Sequence, residues 1–234
     1  RRDPHSGRLT HAPSDWLPDQ TAVKALLDGH PDASVKMGPG IDTRDFPLES
    51  PGCELEFISV NGQLKQAMLW TGALAQASRR ATRLMGERIL SLSSDIPEPA
   101  HVEEPRWNDA WLHVPDPSLE RARLLGLICR QWNLAEPCEG LGLLIGDAPA
   151  DTPWLIPYQV VDQIPWRVDR IKDWLRHHDG GKVEIRTRGR ALEDVDRLRS
   201  DLTGSGSLAW TIFGLRLGDS RVAIMTRPRG HSLP

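Results

Sequence analysis

The sequence predicts an α/β chain in two parts: a sheet ending in an antiparallel hairpin, then, after a linker, a small two-layer α+β domain. Three observations carry this. Asn61-Gly62 separates two apolar-rich runs, 54–60 and 63–70, and Asn-Gly between such runs is the strongest short hairpin signal a sequence offers. The segment 96–105 is rich in Pro and Glu and reads as a linker. Beyond it, the apolar period changes from two to helical within one stretch, KVEIRTRGRALEDVDRLRSDL, residues 182–202.

Taken in order, the first 18 residues are polar, rich in Pro, Gly and His, and read as a loop. Asp19 is placed to cap a helix containing Val23, Leu26 and Leu27, which Gly29 and Pro31 stop. A short strand, 33–37, ends in Gly38-Pro39-Gly40, with Lys36 just before the turn. The Asn-Gly hairpin follows, expected at the edge of its sheet, and a second hairpin over 81–92 turns at Gly86-Glu87. After the linker, Ser118 starts one helix with Leu119, Ala122, Leu125, Ile128 and Trp132 along a single stripe. Residues 141–145 read as a buried strand and 158–161 as a short one. Pro165 opens the next helix, whose apolar face is Val168, Ile171, Trp174 and Leu175.

In the stretch 182–202, Val183, Ile185 and Thr187 alternate with Lys182, Glu184, Arg186 and Arg188, which gives a half-buried strand with a mostly cationic wet face. Gly189 breaks the strand, and Leu192, Val195, Leu198 and Leu202 then recur at helical spacing. Acids come early in that helix and bases late, as its dipole favours. Residues 203–207 are expected to be a flexible loop, and 208–217 to pair with 221–227 around Gly218-Asp219. The expected domains are 1–95, a connecting segment with a helix at 96–153, and 154–234.

Composition narrows the function classes. Residues 160–234 carry 14 Lys+Arg against 10 Asp+Glu, and residues 1–159 carry 15 against 22, so +4 and −7 make the net −3. A mildly basic C-terminal part on an acidic body hints at an anionic partner for that part alone. Three cysteines without a CxxC pair argue for a reducing, cytoplasmic compartment and against a structural zinc or other metal. The adjacent His177-His178 are expected to cap a helix. No apolar run approaches the roughly 18 residues that span a bilayer. The nine tryptophans are expected to be mostly core anchors; Trp154 and Trp166, beside loops and prolines, are the two placed to stack on unpaired bases.

The order of elements resembles the bacterial class I S-adenosylmethionine-dependent methyltransferases that end in a THUMP-like domain. VKMGPGI (35–41) is similar to the family's VKLGPGI segment after the fifth strand of its Rossmann-like sheet. LEFISVNGQLKQAMLWTGALA (55–75) is similar to its final hairpin, E-W-V-S-x-x-G-x-x-K-E-A-x-L-W, and VEIRTRG (183–189) to V-E-I-K-K-R-G of the THUMP-like domain. Arg1-Arg2 resembles the tail of a D-P-x-R-R motif. Two departures stand out. No G-x-G-x-x-G turn occurs in the chain, and Thr187 replaces the second Lys of K-K-R-G while Arg186 keeps the charge of the first.

The resemblance implies the C-terminal half of a Rossmann-like methyltransferase sheet with its extra hairpin, then a THUMP-like α+β domain. It implies S-adenosylmethionine as cofactor of the full-length protein, with the main binding motifs upstream of Arg1, so that this fragment alone would be inactive. Lys36, Gly38, Pro39 and Arg2 would line the acceptor pocket, because open α/β sheets bind ligands beyond their strand C-termini. Lys182, Arg186, Arg188 and Arg190 would track an RNA backbone; the plainer alternative is a solvated strand face partly neutralised by Glu184. Three functions stay open: an RNA methyltransferase, a non-catalytic RNA- or protein-binding module, and a small-molecule methyltransferase with an appended lid.

Overall fold

The structure, a computed structural model, describes residues 19–41, 52–188 and 191–228. They divide into two compact units between which the chain passes three times. The first holds the described residues up to Ala100 together with Asp116–Ile128; the second holds His101–Pro115 together with the described residues from Cys129 onward.

The first unit opens with α1 (Gln20–Gly29), capped by Asp19, whose carboxylate accepts the Ala22 N–H at 2.8 Å. A five-stranded mixed sheet follows: β1 (Ser34–Met37), β2 (Cys53–Val60), β3 (Gln63–Thr71), β4 (Arg79–Met85) and β5 (Arg88–Ser94), in the order β1-β3-β2-β4-β5. Asn61 and Gly62 have φ of 49° and 76°, the two positive values a tight hairpin with right-handed twist requires. That hairpin is antiparallel, as the sequence predicts. It is not at the sheet edge, however: β1 flanks it on one side and β4, parallel to β2, on the other. The second hairpin, β4–β5, also forms as predicted.

One face of this sheet is apolar, with Leu55, Phe57, Ala67, Leu69 and Ala81 buried. Helix α2 (Pro117–Ala122) packs on β2 and β4 and buries Leu119 and Ala122. Asp116 caps it through the Ser118 N–H and hydroxyl, at 3.0 and 2.6 Å, and meets the Arg83 guanidinium at 3.3 Å. The single helix predicted from Ser118 is in fact two, α2 and α3 (Leu125–Trp132). Arg123, with φ 59°, is the left-handed cap that ends the first, so apolar spacing continues through a chain reversal that periodicity cannot detect.

The second unit is built on a six-stranded sheet, with β6 (Trp111–Pro115), β7 (Leu144–Gly146), β8 (Leu155–Pro165), β9 (Gly180–Thr187), β10 (Leu208–Leu217) and β11 (Ser220–Pro228) in the order β7-β6-β8-β11-β10-β9. Only β9–β10 is parallel. Helices α4 (Val168–His177) and α5 (Val195–Leu202) cover one face, where Ile171, Leu175 and Leu202 pack on Val183, Ile185, Trp210, Ile212, Ala223 and Met225. Leu112, Leu141, Leu143, Tyr158, Phe213 and Ile224 belong to the core on the other face.

Two expectations fail here. Pro165 does not open a helix; it is the last residue of β8, paired with Val222, and α4 begins at Val168 with Arg167 as its cap. The loop 203–207 is not loose. Gly204 and Gly206 donate their N–H groups to Gly181 and Gly180 at 3.0 and 3.1 Å, and Ser207 binds the Asp179 carboxylate. Two backbones lie so close there that a Cβ on Gly181 would sit 2.0 Å from the Gly206 carbonyl oxygen.

Candidate nucleic-acid interface

β9 is an edge strand, hydrogen-bonded in the sheet to β10 alone, and its alternation is as predicted. Val183 and Ile185 are buried under the helices, while Lys182 and Arg188 are exposed and Glu184 and Arg186 half-buried. The cationic face is less free than the sequence suggests. The Arg186 guanidinium donates to Glu184 Oε1 at 2.8 Å and lies 5.2 Å from the centroid of the Tyr158 ring, whose edge-on neighbour is Phe213. Thr211 Oγ1 reaches the other Glu184 oxygen at 3.4 Å. Arg188 has no ion pair among the described residues and is the more available cation. Arg190 lies outside the described residues.

Next to this strand is a cleft of about 250 Å³, lined by Val114, Leu143, Arg186, Thr187, Arg188 and Phe213. Its apolar floor and arginine rim suit a ligand with a flat or apolar body and a negative charge. Charges on an edge strand also discourage strand-to-strand aggregation, which is the plainer purpose they serve.

The other predicted site belongs to the first unit. Lys36 is exposed on β1, opposite Met68 of β3; Gly38 is exposed and Pro39 half-buried in the turn that follows. A Cβ on Gly38 would meet nothing within 4 Å, so no close approach demands glycine there. Arg2, like Arg1, lies outside the described residues. The two predicted sets thus fall in different units.

Sequence reasoning missed the polar constellation of the first sheet. Glu54, only 1% exposed, accepts the Gln76 and Ala77 N–H groups at 2.7 and 3.0 Å and two guanidinium donors of Arg80. Burial pushes its carboxyl pKa up, but Arg80 and the two N–H groups outweigh that and hold it below its usual value. Two positions on, Glu56 accepts from Trp70 Nε1 at 2.9 Å and from Thr82 Oγ1. The motif E-x-E within an apolar strand was the available signal. Both carboxylates are fully engaged by donors on β3, on β4 and on the segment between them, so they are structural and not placed to receive a ligand.

The sequence-based choice of stacking tryptophans is corrected for Trp154. Trp154 is 7% exposed and so belongs to the interior; Trp166 is half-buried against the helix-side core. Among the described residues, no group of three or more His, Cys, Asp and Glu is placed to hold a metal ion, and no helix is long and apolar enough to cross a membrane.

Residues 157–228 match the family described as THUMP domain-like, which covers β8 through β11 with α4 and α5. An uncharacterized S-adenosylmethionine-dependent methyltransferase of Mycobacterium tuberculosis, found in two strains, is 31% identical over 226 residues, 94% of this chain. The chain spans 60% of the length of these curated relatives. A crystallised methyltransferase candidate from Porphyromonas gingivalis W83 shares the fold, with a TM-score of 0.69 and 16% identity over 92% of this chain and 56% of that one.

Proposed function

We propose that this chain is part of an S-adenosylmethionine-dependent methyltransferase acting on RNA, in which residues 157–228 hold the substrate. The observation that carries the reading is that the THUMP-like match spans the strand where exposed Arg188, with Arg186 beside it, rims a cleft. Methyl transfer asks little of protein side chains beyond holding a nucleophile in line with the donor methyl. S-adenosylmethionine supplies that methyl group when bound. The described residues of the first unit do not fit that cofactor: the two buried carboxylates of its sheet are occupied by Arg80, Trp70, Thr82 and backbone donors. On this reading Lys36, Gly38 and Pro39 border the acceptor side.

The test is salt-dependent binding of a labelled RNA hairpin. Phosphate contacts release counterions, so affinity should fall steeply with salt, and Arg188→Ala should flatten the log–log slope by roughly 0.9. Arg186→Ala should change it less, because that guanidinium is committed to Glu184. Failure to bind RNA at low salt would favour a small-molecule methyltransferase. RNA binding without methyl transfer by the full-length protein would favour a binding module.

A further inference from the structure

Helix α4 lines a second and larger groove, about 510 Å³, on the helix-covered side of the same unit. Ile164 and Pro165 at the end of β8 form one wall, and Arg167, Arg170, Trp174 and His177 contribute from the helix side. Spacings of three, four and three put those four residues on one stripe, next to the Ile171–Leu175 stripe that packs on the sheet. The volume lies within the roughly 300–1,000 Å³ of small-ligand sites.

Trp174 is held rigidly in this wall. Its Nε1 donates to Asp162 Oδ2 at 2.7 Å, the His178 ring stacks on it at 3.7 Å and 10°, and the Trp210 ring meets it edge-on at 4.7 Å and 84°. An indole already fixed on three sides loses almost no rotamer freedom when a further ring stacks on it. The charges in the groove are unequal. Arg167 pairs with Asp169 at 3.3 Å, and Asp173, also in the lining, pairs with Arg176 at 2.6 Å. Arg170 is exposed and has no ion pair among the described residues. A half-buried aromatic wall next to one uncompensated guanidinium fits a ligand that is both flat and anionic.

We propose that the α4 groove takes one unpaired nucleotide of an RNA strand, its base on Trp174 and its phosphate at Arg170. This rests on the RNA reading above but uses a different surface, since Arg186 lies on the opposite face of the sheet from α4. It gives the domain a means of selecting single-stranded ends or bulges, whereas the β9 cations read only phosphates. A free aliphatic anion would not use the indole, and a neutral aromatic would not use Arg170.

The experiment is fluorescence anisotropy at one fixed salt concentration with the whole chain. Two RNA hairpins of equal stem are compared, one blunt and one with a short unpaired extension. The extended hairpin should bind roughly tenfold more tightly, the scale of one base–aromatic stack. Trp174→Leu and, on an exposed side chain that cannot disturb the core, Arg170→Glu should each remove most of that preference while blunt-hairpin binding persists. Equal binding of both hairpins by the wild type would overturn the groove proposal and leave the RNA reading intact. A preference that survives both substitutions would also overturn it. Absence of binding to either RNA would remove both.

Discussion

Replacing His113 by Gln should remove the share of the protein's acid sensitivity between pH 6.5 and about 4 that comes from one buried imidazole. His113 lies on β6 and is fully buried; its Nε2 accepts the Ala150 N–H at 3.1 Å, so the ring is neutral with its proton on Nδ1. Burial is the dominant cause that lowers its pKa from 6.5 to about 4, outweighing nearby backbone groups of Leu144 and Trp111 that favour the charged form. The sign follows directly. Below pH 6.5 the unfolded chain takes up a proton that the folded chain refuses, so stability is complete above 6.5 and declines as pH falls towards 4. At roughly 1.4 kcal/mol per unit this is about 3 kcal/mol over the whole window and about 2 kcal/mol at pH 5. Gln keeps an acceptor near the Nε2 position and cannot titrate. Urea unfolding of both proteins at several pH values gives the difference, in which the other carboxylates and histidines cancel. Parallel pH dependences for wild type and variant would refute the assignment of a neutral, buried imidazole.

Three further outcomes are expected. Gly181→Ala should lower the melting temperature through a loss of roughly 1–3 kcal/mol, because its Cβ meets the Gly206 carbonyl at 2.0 Å; Gly140→Ala, where only a positive φ opposes the change, should cost less. Glu54→Gln should destabilise by about 3 kcal/mol, since it leaves the Arg80 charge partly buried without its partner; denaturant titration at pH 7 measures this. Because the Glu54 carboxyl lies below its ordinary value, its contribution should persist down to about pH 4.5 and fade only below that. Cys129 should resist alkylation in the folded state, because burial, with Glu136 adding to it, pushes its thiol up to about 11; mass spectrometry after iodoacetamide treatment checks this.

Local signals in the sequence predict the elements whose chemistry is local. Asn61-Gly62 specifies its own turn, and the alternation around Val183 and Ile185 specifies a strand with one wet face. What lay beyond reach depended on partners distant in sequence. Nothing near the hairpin says that β1 will pair with β3 and place it inside the sheet. The apolar stripe from Leu119 to Trp132 continues through the left-handed Arg123, so two helices read as one. Gly204 and Gly206 look like a flexible tract until the backbone at Gly180 and Gly181 is set against them. In the candidate interface, charge and position were legible, but the Arg186–Glu184 pairing and the stack on Tyr158 were not. Trp174 was the converse: helical spacing marks it as core, and only the groove beside it shows a ring surface left to line a binding site.

The threefold passage of the chain between its units bears on how the protein is made and how it can be cut. During synthesis, β2 to β5 emerge before Pro117–Ala122, so Leu55, Phe57 and Leu69 await their covering helix while a segment of the other unit leaves the ribosome. Each unit is therefore closed by residues made after its neighbour has begun. A protease cutting within 101–115 would not release two intact bodies, because either product would carry pieces of both. An excision beginning at residue 154 would leave β8 without β6, baring its backbone edge and removing Leu112, Leu141 and Leu143 from the core they complete. The pair of units is in this respect a single inheritance: neither can be borrowed, duplicated or lost without mending the other.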